Sequence, residues 1–128
     1  ECGVCGGDCV IVYCNALPAD VNTLYLAESG AVYYNSTIDI AGFQAVISGT
    51  TATGVSETGD AEASGYTVSI AGSTILGFSF LGSIIPAGSG TLTTVSLVGA
   101  ATGLNTIVMS DSGAGSIVQQ LETDLCIE

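Results

Sequence analysis

Cys2, Cys5, Cys9 and Cys14 crowd one end of a 128-residue chain, and a fifth cysteine, Cys126, stands near the other. The pattern C-x2-C-x3-C-x4-C, followed by a gap of over a hundred residues, admits two chemistries. One is a set of disulfides formed in an oxidising compartment. The other is a metal or iron–sulfur site held by four thiolates. The spacing matches neither the paired CxxC knuckles of zinc sites nor the common ferredoxin runs, so disulfides are the expectation. Five is an odd count, and one thiol must stay free or pair with another chain. If Cys126 closes back onto the cluster, it joins the two ends of the domain, and so long a loop adds roughly 4 kcal/mol in the chain-entropy model. Alternatively Cys126 bridges to the next subunit. The sequence leaves the connectivity open.

A second set of ligating types is acidic. Glu57, Asp60 and Glu62 lie in one loop beside Thr58 and offer the oxygen ligands that Ca²⁺ prefers. Their spacing matches no EF-hand, and a solvated acidic loop is the plainer reading. No other cofactor is implied. Asp111, in Ser110-Asp111-Ser112-Gly113, reads as a turn former. Asp39 reads as a turn or edge residue. Asn35-Ser36-Thr37 is the single N-x-S/T sequon and makes Asn35 a candidate acceptor of an N-linked sugar, which requires its exposure at a strand end. Tyr13, Tyr25, Tyr33, Tyr34 and Tyr66 could floor a sugar site, but core or interface packing is the simpler role. Tyr33 and Tyr34 are neighbours, so on a strand they face opposite ways.

Catalysis has little to work with. The chain contains no lysine, arginine or histidine, so a serine or cysteine nucleophile has no base. No pair of carboxylates lies in a recognisable glycosidase signature, and there is no tryptophan to floor a sugar subsite. The expectation is that this is not an enzyme.

The same absence sets the partners. Twelve carboxylates without a cation give a formal charge of −12, which makes nucleic acids and anionic membrane surfaces poor partners. No apolar run reaches the ~18 residues of a membrane span. Hydrophobic residues are 48% of the chain, ordinary for a globular domain, whereas charged residues are only 9%. The surface must therefore be covered by Ser, Thr, Gly, Asn and Ala, which suits a dry protein–protein contact. Mutual repulsion keeps copies apart unless cations screen it or covalent links override it. A chain without Lys or Arg also offers trypsin-like proteases no site. The only methionine is Met109, and the start at Glu1 reads as a processed product or a piece of a longer polyprotein.

The elements that must carry these residues read as β almost throughout, within one domain. Residues 1–21 form a Cys/Gly-rich extension and residues 22–128 a β domain. Short strands are expected at Thr23–Ala27 and Ala31–Asn35, split by Glu28-Ser29-Gly30. Ala41–Ser48 follows, with Phe43, Ala45 and Ile47 on one face. A strand near Thr51–Ser56 precedes the acidic loop. Tyr66–Ile70 alternates Tyr66, Val68 and Ile70, and Ser73–Leu81 places Leu76, Phe78 and Phe80 together. Ile85–Gly90 is a turn. Thr91–Val98, Thr106–Ser110 and Ser116–Gln120 complete the strands, with a short helix as the alternative around Ser116–Leu121. Turn signals recur about every ten residues, as in a sandwich.

Two stretches resemble known families. Glu1-Cys2-Gly3-Val4-Cys5-Gly6-Gly7-Asp8-Cys9 resembles the cysteine-rich spacer repeats of large secreted and cell-surface proteins, which implies an extracellular, modular context. Tyr34–Gln44, then Gly65-Tyr66-Thr67-Val68, Ile75–Phe80 and Ile85–Thr93, are similar in type and order to strands and a turn of cohesin-like domains, over roughly residues 23–120. That resemblance implies an all-β, jelly-roll β-sandwich of about nine strands.

Val10-Ile11-Val12-Tyr13 is an uncharged β-forming run between the spacer and the domain. It reads either as the first strand of the sandwich or as a strand lent to a neighbouring subunit. Added strands bind through main-chain hydrogen bonds and side-chain pockets and need no charge. A head-to-tail contact of that kind does not close, and so builds a filament. The leading expectation is an extracellular structural subunit whose partners are copies of itself, joined by strand exchange and disulfides. The other is a cohesin-like binding or adhesion module that recognises a protein or a glycan.

Overall fold

A computed structural model of the chain describes residues 13, 14, 17, 22–56, 59–79, 81–113, 115–117 and 122–128. Their strands, in chain order, are β1 (Thr23–Leu26), β2 (Ala31–Ser36), β3 (Gly42–Ser48), β4 (Ala52–Ser56), β5 (Thr67–Ala71), β6 (Thr74–Phe78), β7 (Gly88–Leu97), β8 (Gly103–Ser110) and β9 (Thr123–Asp124). A single turn of helix, α1 (Gly59–Ala63), joins β4 to β5. Two antiparallel sheets result, one in the order β1-β2-β7-β4 and the other in the order β5-β6-β3-β8-β9. The fold is thus all-β and sandwich-like.

The strands form because alternation lets each sheet bury one face. In β3 every second residue is buried, which sends Phe43, Ala45 and Ile47 inward. Opposite them, Leu24, Leu26, Val32, Leu92 and Val95 enter the same apolar cluster from the first sheet, with Ile75, Leu104, Ile107 and Met109 from the second. Burying side chains of this size contributes about 1.5–3 kcal/mol each and holds the two sheets face to face.

Two glycines fix how closely the layers approach. Gly30, in the β1–β2 turn, has φ +98°, and a Cβ there would lie 2.1 Å from the carbonyl oxygen of Val95. The Val95 N–H donates to the Gly30 carbonyl at 2.8 Å, so the turn is seated directly on β7. Gly77 lies under the ring of Phe43, where a Cβ would come 2.1 Å from Cζ. That ring stacks on Tyr66 with centroids 6.0 Å apart and planes within 10°. The inward positions of β6 are therefore Ile75 and Gly77, and Leu76 points to the outside.

A second, smaller cluster lies on the other side of β1. Leu24 and Leu26 face the core, while Tyr25 and Ala27 pack with Cys14, Ala31, Cys126, Leu17 and Tyr33. Cys14 and Cys126 form a disulfide that closes a separation of 112 residues. In the chain-entropy model a loop of that length contributes about 4–5 kcal/mol. Cys14 and Leu17, from the N-terminal side of residue 22, pack on this side of β1.

Several expected boundaries move. β7 begins at Gly88, inside the stretch read as the Ile85–Gly90 turn, and β8 begins at Gly103 rather than Thr106. Three glycines in those stretches suppress the strand signal, yet Gly88 and Gly90 sit opposite Ser36 and Tyr34, and Gly103 sits opposite Ser48. The acidic loop is partly helix: Asp60 and Glu62 occupy α1, where carboxylates in a first turn are favoured. Of the expected Ser116–Gln120 strand, the described residues keep an isolated bridge from Ser116 to Ser110. The short strand β9 lies in what read as a tail.

Gly77→Ala should lower stability by about 1–3 kcal/mol through overpacking against Phe43. Denaturant unfolding of Gly77→Ala, Phe43→Leu and the pair tests this: the double variant should lose less than the sum of the singles, because the smaller side chain makes room.

Candidate assembly surface

Without a cation, every carboxylate must find another partner or stay in water. The eight described acids are Glu28, Asp39, Asp60, Glu62, Asp111, Glu122, Asp124 and Glu128, and none of them lies on β1 to β8. Like charges set opposite each other on a sheet repel, and here no lysine or arginine exists to separate them. Polar hydrogens take the place of counter-ions. Asp39 Oδ1 accepts from the Ala87 N–H at 2.9 Å, and Asp60 Oδ2 accepts from the Tyr34 hydroxyl at 2.6 Å. Asp111 Oδ1 accepts from the N–H groups of Gly113 and Gly115, both at 2.9 Å, which makes it the turn former its sequence context implies. Glu128 Oε2 accepts from the Tyr33 hydroxyl at 2.9 Å. Hydrogen bonds to an ionised acceptor are about twice as strong as neutral ones.

The consequence is a sheet surface uncharged from β5 to β8, with Asp124 of β9 exposed at its margin. On the outside of the second sheet one row runs Ser69, Leu76, Gln44, Val108, and another runs Ala71, Thr74, Val46, Asn105. Leu76 is 39% exposed and Val108 45%. The Asn105 carboxamide donates to Ser48 Oγ at 2.7 Å, and next to it Thr106 holds φ 49°, a left-handed conformation that is rare for a β-branched residue. It stands where the β3–β8 register shifts, so the local backbone is bent at one side of this face.

The sheet edges differ in how they are closed. The β1 edge is covered where Ala27 bridges to Cys126. β9 is two residues long and carries Asp124. β4 is bulged between Ala52 and Gly54, and its Ala52 N–H donates to the Gly72 carbonyl at 3.0 Å. Among the described residues β5 ends its sheet, flanked by β4 and α1 but paired in the ladder only with β6: Thr67–Ala71 keeps unbroken register with β6, without charge, proline or bulge. An edge of that kind is a template for an added strand.

At the opposite side the two ends of the described chain meet. Tyr13 bridges to Ile127 in parallel, and the Cys14 N–H donates to the Ile127 carbonyl at 2.8 Å. The Cys14–Cys126 disulfide links the same two segments covalently.

The other candidate residues distribute as follows. Cys2, Cys5, Cys9, Val10, Ile11, Val12 and Glu57 lie outside the described residues; Tyr13 is half exposed. Asn35 is only 7% exposed, within β2 and opposite Thr23, so the exposure an N-linked sugar needs is lacking in this fold. Asp60 turns inward to Tyr34 while Glu62 is exposed, and the described residues contain no group of three acids, cysteines or histidines that could hold a metal ion. A cleft of about 620 Å³ beside the paired strands β8 and β9 is lined by Tyr25, Ser48, Asn105, Glu122 and Asp124 among others. Tyr33 and Tyr34 face opposite ways, Tyr34 into the core and Tyr33 onto the disulfide cluster, so the tyrosines make no single sugar platform. No helix of the described residues is long and apolar enough to cross a membrane. The sequence reading missed β5 as an open edge; its absence of Pro and charge between Gly65 and Gly72 was the available signal.

Burial pushes the phenol of Tyr66 up to about 12, and burial followed by the Asp60 hydrogen bond and charge pushes Tyr34 further up. Burial, then the Asp124 charge, raises Tyr25; burial, then the Glu128 hydrogen bond and charge, raises Tyr33. Compared with known proteins, the chain matches no family model, no curated protein and no solved structure.

These phenols keep their protons longer in the fold than in the unfolded chain, where they ionise near 10.0. Their contribution is therefore complete below pH 10 and is lost as the pH rises toward about 12. The unfolding temperature should fall steeply over that interval, with tyrosinate absorbance appearing in step with unfolding. Tyr66→Phe should flatten part of the fall, while costing about 1 kcal/mol at neutral pH for its lost bond to the Ile40 carbonyl. Tyrosinate absorbance that runs ahead of the loss of circular dichroism would contradict this account.

Proposed function

We propose that this chain is an extracellular structural subunit, a cohesin-like jelly-roll sandwich that assembles with copies of itself into a filament or surface array. The observation that carries the reading is the absence of any carboxylate from β1 to β8 in a chain of charge −12. Copies that repel everywhere else can meet on neutral strand faces and on the β5 edge without desolvating a charge. The jelly-roll assignment draws support from the alternation of strands between sheets: the connections β2–β3, β3–β4, β4–β5, β6–β7 and β7–β8 all cross from one sheet to the other. A long-range disulfide fits an oxidising, extracellular setting.

Two joints are available. The first is strand addition, in which Val10-Ile11-Val12 of one copy pairs along β5 of the next through main-chain hydrogen bonds. Tyr13 and Cys14 are held by their own chain, so the lent strand lies N-terminal to Tyr13. The second is covalent. With Cys14 and Cys126 joined, three cysteines remain in the sequence, and at most two of them can pair with each other.

A second reading has its own support. The seating of Tyr13 and Cys14 on Ile127 and Cys126 shortens the segment free to exchange, which favours a module that docks a different protein on the Leu76–Val108 face. It takes no part in catalysis under either reading.

Sedimentation and non-reducing electrophoresis of the purified chain separate the two. Self-assembly predicts species larger than a monomer, part of them dissolved by reductant. Ser69→Asp, which puts a carboxylate on the exposed centre of β5, should abolish the reductant-resistant part while changing monomer stability by less than about 0.5 kcal/mol. A single monomer band at every concentration, unchanged by reductant, would sink the assembly reading and leave the docking module.

A further inference from the structure

We infer that the Cys14–Cys126 disulfide makes this domain a tension-bearing link, in which load applied along the chain bypasses the fold. The inference rests on the structural-subunit reading for its purpose and concerns load that enters and leaves through the two ends of the chain, not load that enters at the β5 edge; its geometry is independent of that reading.

Three observations set the load path. Tyr13 and Ile127 lie side by side as a bridge, and the Cys14 N–H donates to the Ile127 carbonyl at 2.8 Å. The next residue inward on each side, Cys14 and Cys126, is covalently joined. The bridge is parallel, so the chain arrives at Tyr13 from one end of the pair and departs from Ile127 at the other. Tension on the two arms therefore shears the pair along its length, and the covalent bond lies directly in the line of pull. Force passes from Tyr13 to Cys14, across the two sulfurs to Cys126, and out through Ile127. Residues 15–125 carry none of it.

Hydrogen bonds and packing yield under sustained load because the native fold is stable by only a few kcal/mol overall. A chain that opened between residues 14 and 126 would lengthen by about 400 Å, taking its 112-residue separation at about 3.6 Å per residue. The disulfide removes that extension. The neutral outer face and the β5 edge belong to strands inside the bypassed loop, so they keep their geometry while the chain is taut. Contacts made there with a neighbour then survive strain on the chain that bears them. Any pairing among Cys2, Cys5 and Cys9 lies outside the bypassed loop and does not alter this path.

The bypass is conditional on oxidation. A thiolate from a small dithiol attacks one sulfur and releases the other as a thiolate. The second thiol of the reagent then displaces the mixed disulfide, leaving Cys14 and Cys126 reduced and the reagent oxidised to its own disulfide.

Single-molecule pulling of the full chain between handles fused before Glu1 and after Glu128 tests this. The oxidised chain should show no step near 400 Å up to the force at which the handles fail. Adding a small dithiol under constant force should produce one step of about 400 Å per molecule, at a rate that rises with dithiol concentration. The Cys14→Ser/Cys126→Ser variant, if it folds, should give the same step without reductant. A step near 400 Å from the oxidised chain would overturn the inference, as would its failure to appear in molecules shown to be reduced by thiol labelling. Each trace reads one molecule, so the result stands apart from whether copies assemble, which sedimentation decides.

Discussion

The constraint on which this structure depends is that its negative charge has no positive counterpart. In most domains a carboxylate on a strand can be offset by a lysine or arginine across the ladder. Here that arrangement is closed to every one of the twelve acids. The fold answers by sorting. Apart from Asp124, the described carboxylates go to turns, the short helix and the chain end, where Asp39, Asp60, Asp111 and Glu128 accept hydrogen bonds from N–H or phenol groups. β1 to β8 hold only uncharged residues, and Asp124, on the two-residue β9, is the one described acid in a ladder. Among the described residues no buried side-chain nitrogen or oxygen lacks a hydrogen-bond partner, so the sorting leaves no polar deficit inside.

The disulfide belongs to the same solution. A chain with no ion pairs, and with residual repulsion among its loops, gains stability from loop closure that is indifferent to charge and salt. Its position adds a second effect. The C-terminal segment pairs with β8 at Thr123–Asp124 and then bridges to Ala27 at Cys126, stepping from one sheet to the other within a few residues. Fixing Cys126 to Cys14 pins that crossing and covers the β1 edge. Among the described residues the protection is one-sided, and β5 at the far side of the sandwich pairs with β6 alone. A fold that blunts one edge covalently and leaves another regular and neutral has an asymmetric surface, as a head-to-tail contact requires.

How legible this was in the sequence depends on residue type. Ala41–Ser48 could be read almost to its boundaries because Phe43, Ala45 and Ile47 alternate with small or polar neighbours, and all three are buried. Tyr33 and Tyr34 were assignable to opposite faces from adjacency alone. Gly88 and Gly90, and Gly103 ahead of Leu104, misled, because glycine signals a turn by its freedom while cross-strand pairing decides the outcome. Leu76 is the instructive case. An apolar residue between Ile75 and Gly77 reads as core, but the Phe43 ring occupies the space where a larger residue at position 77 would sit, and this contact distant in sequence sends Leu76 outward. The pairing of Cys14 with Cys126 is likewise a tertiary fact. Spacing offered four cysteines for Cys126, and only the meeting of residues 13–14 with 126–127 selects one.

Charge sorting also bears on which contacts two copies can make. Carboxylates kept off a contact face act on a neighbour through solvent, where physiological salt screens them over about 8 Å. A carboxylate on a strand face would instead be pressed into the contact and lose its water, a penalty of several kcal/mol that salt does not relieve. The first arrangement weakens with added salt, and the second does not. By clearing β1 to β8 of acids, the chain leaves only the screened kind of repulsion between its neutral surfaces. In the proposed assembly, association through those surfaces would be governed by ionic strength outside the molecule, while the disulfide holds the surfaces themselves in shape.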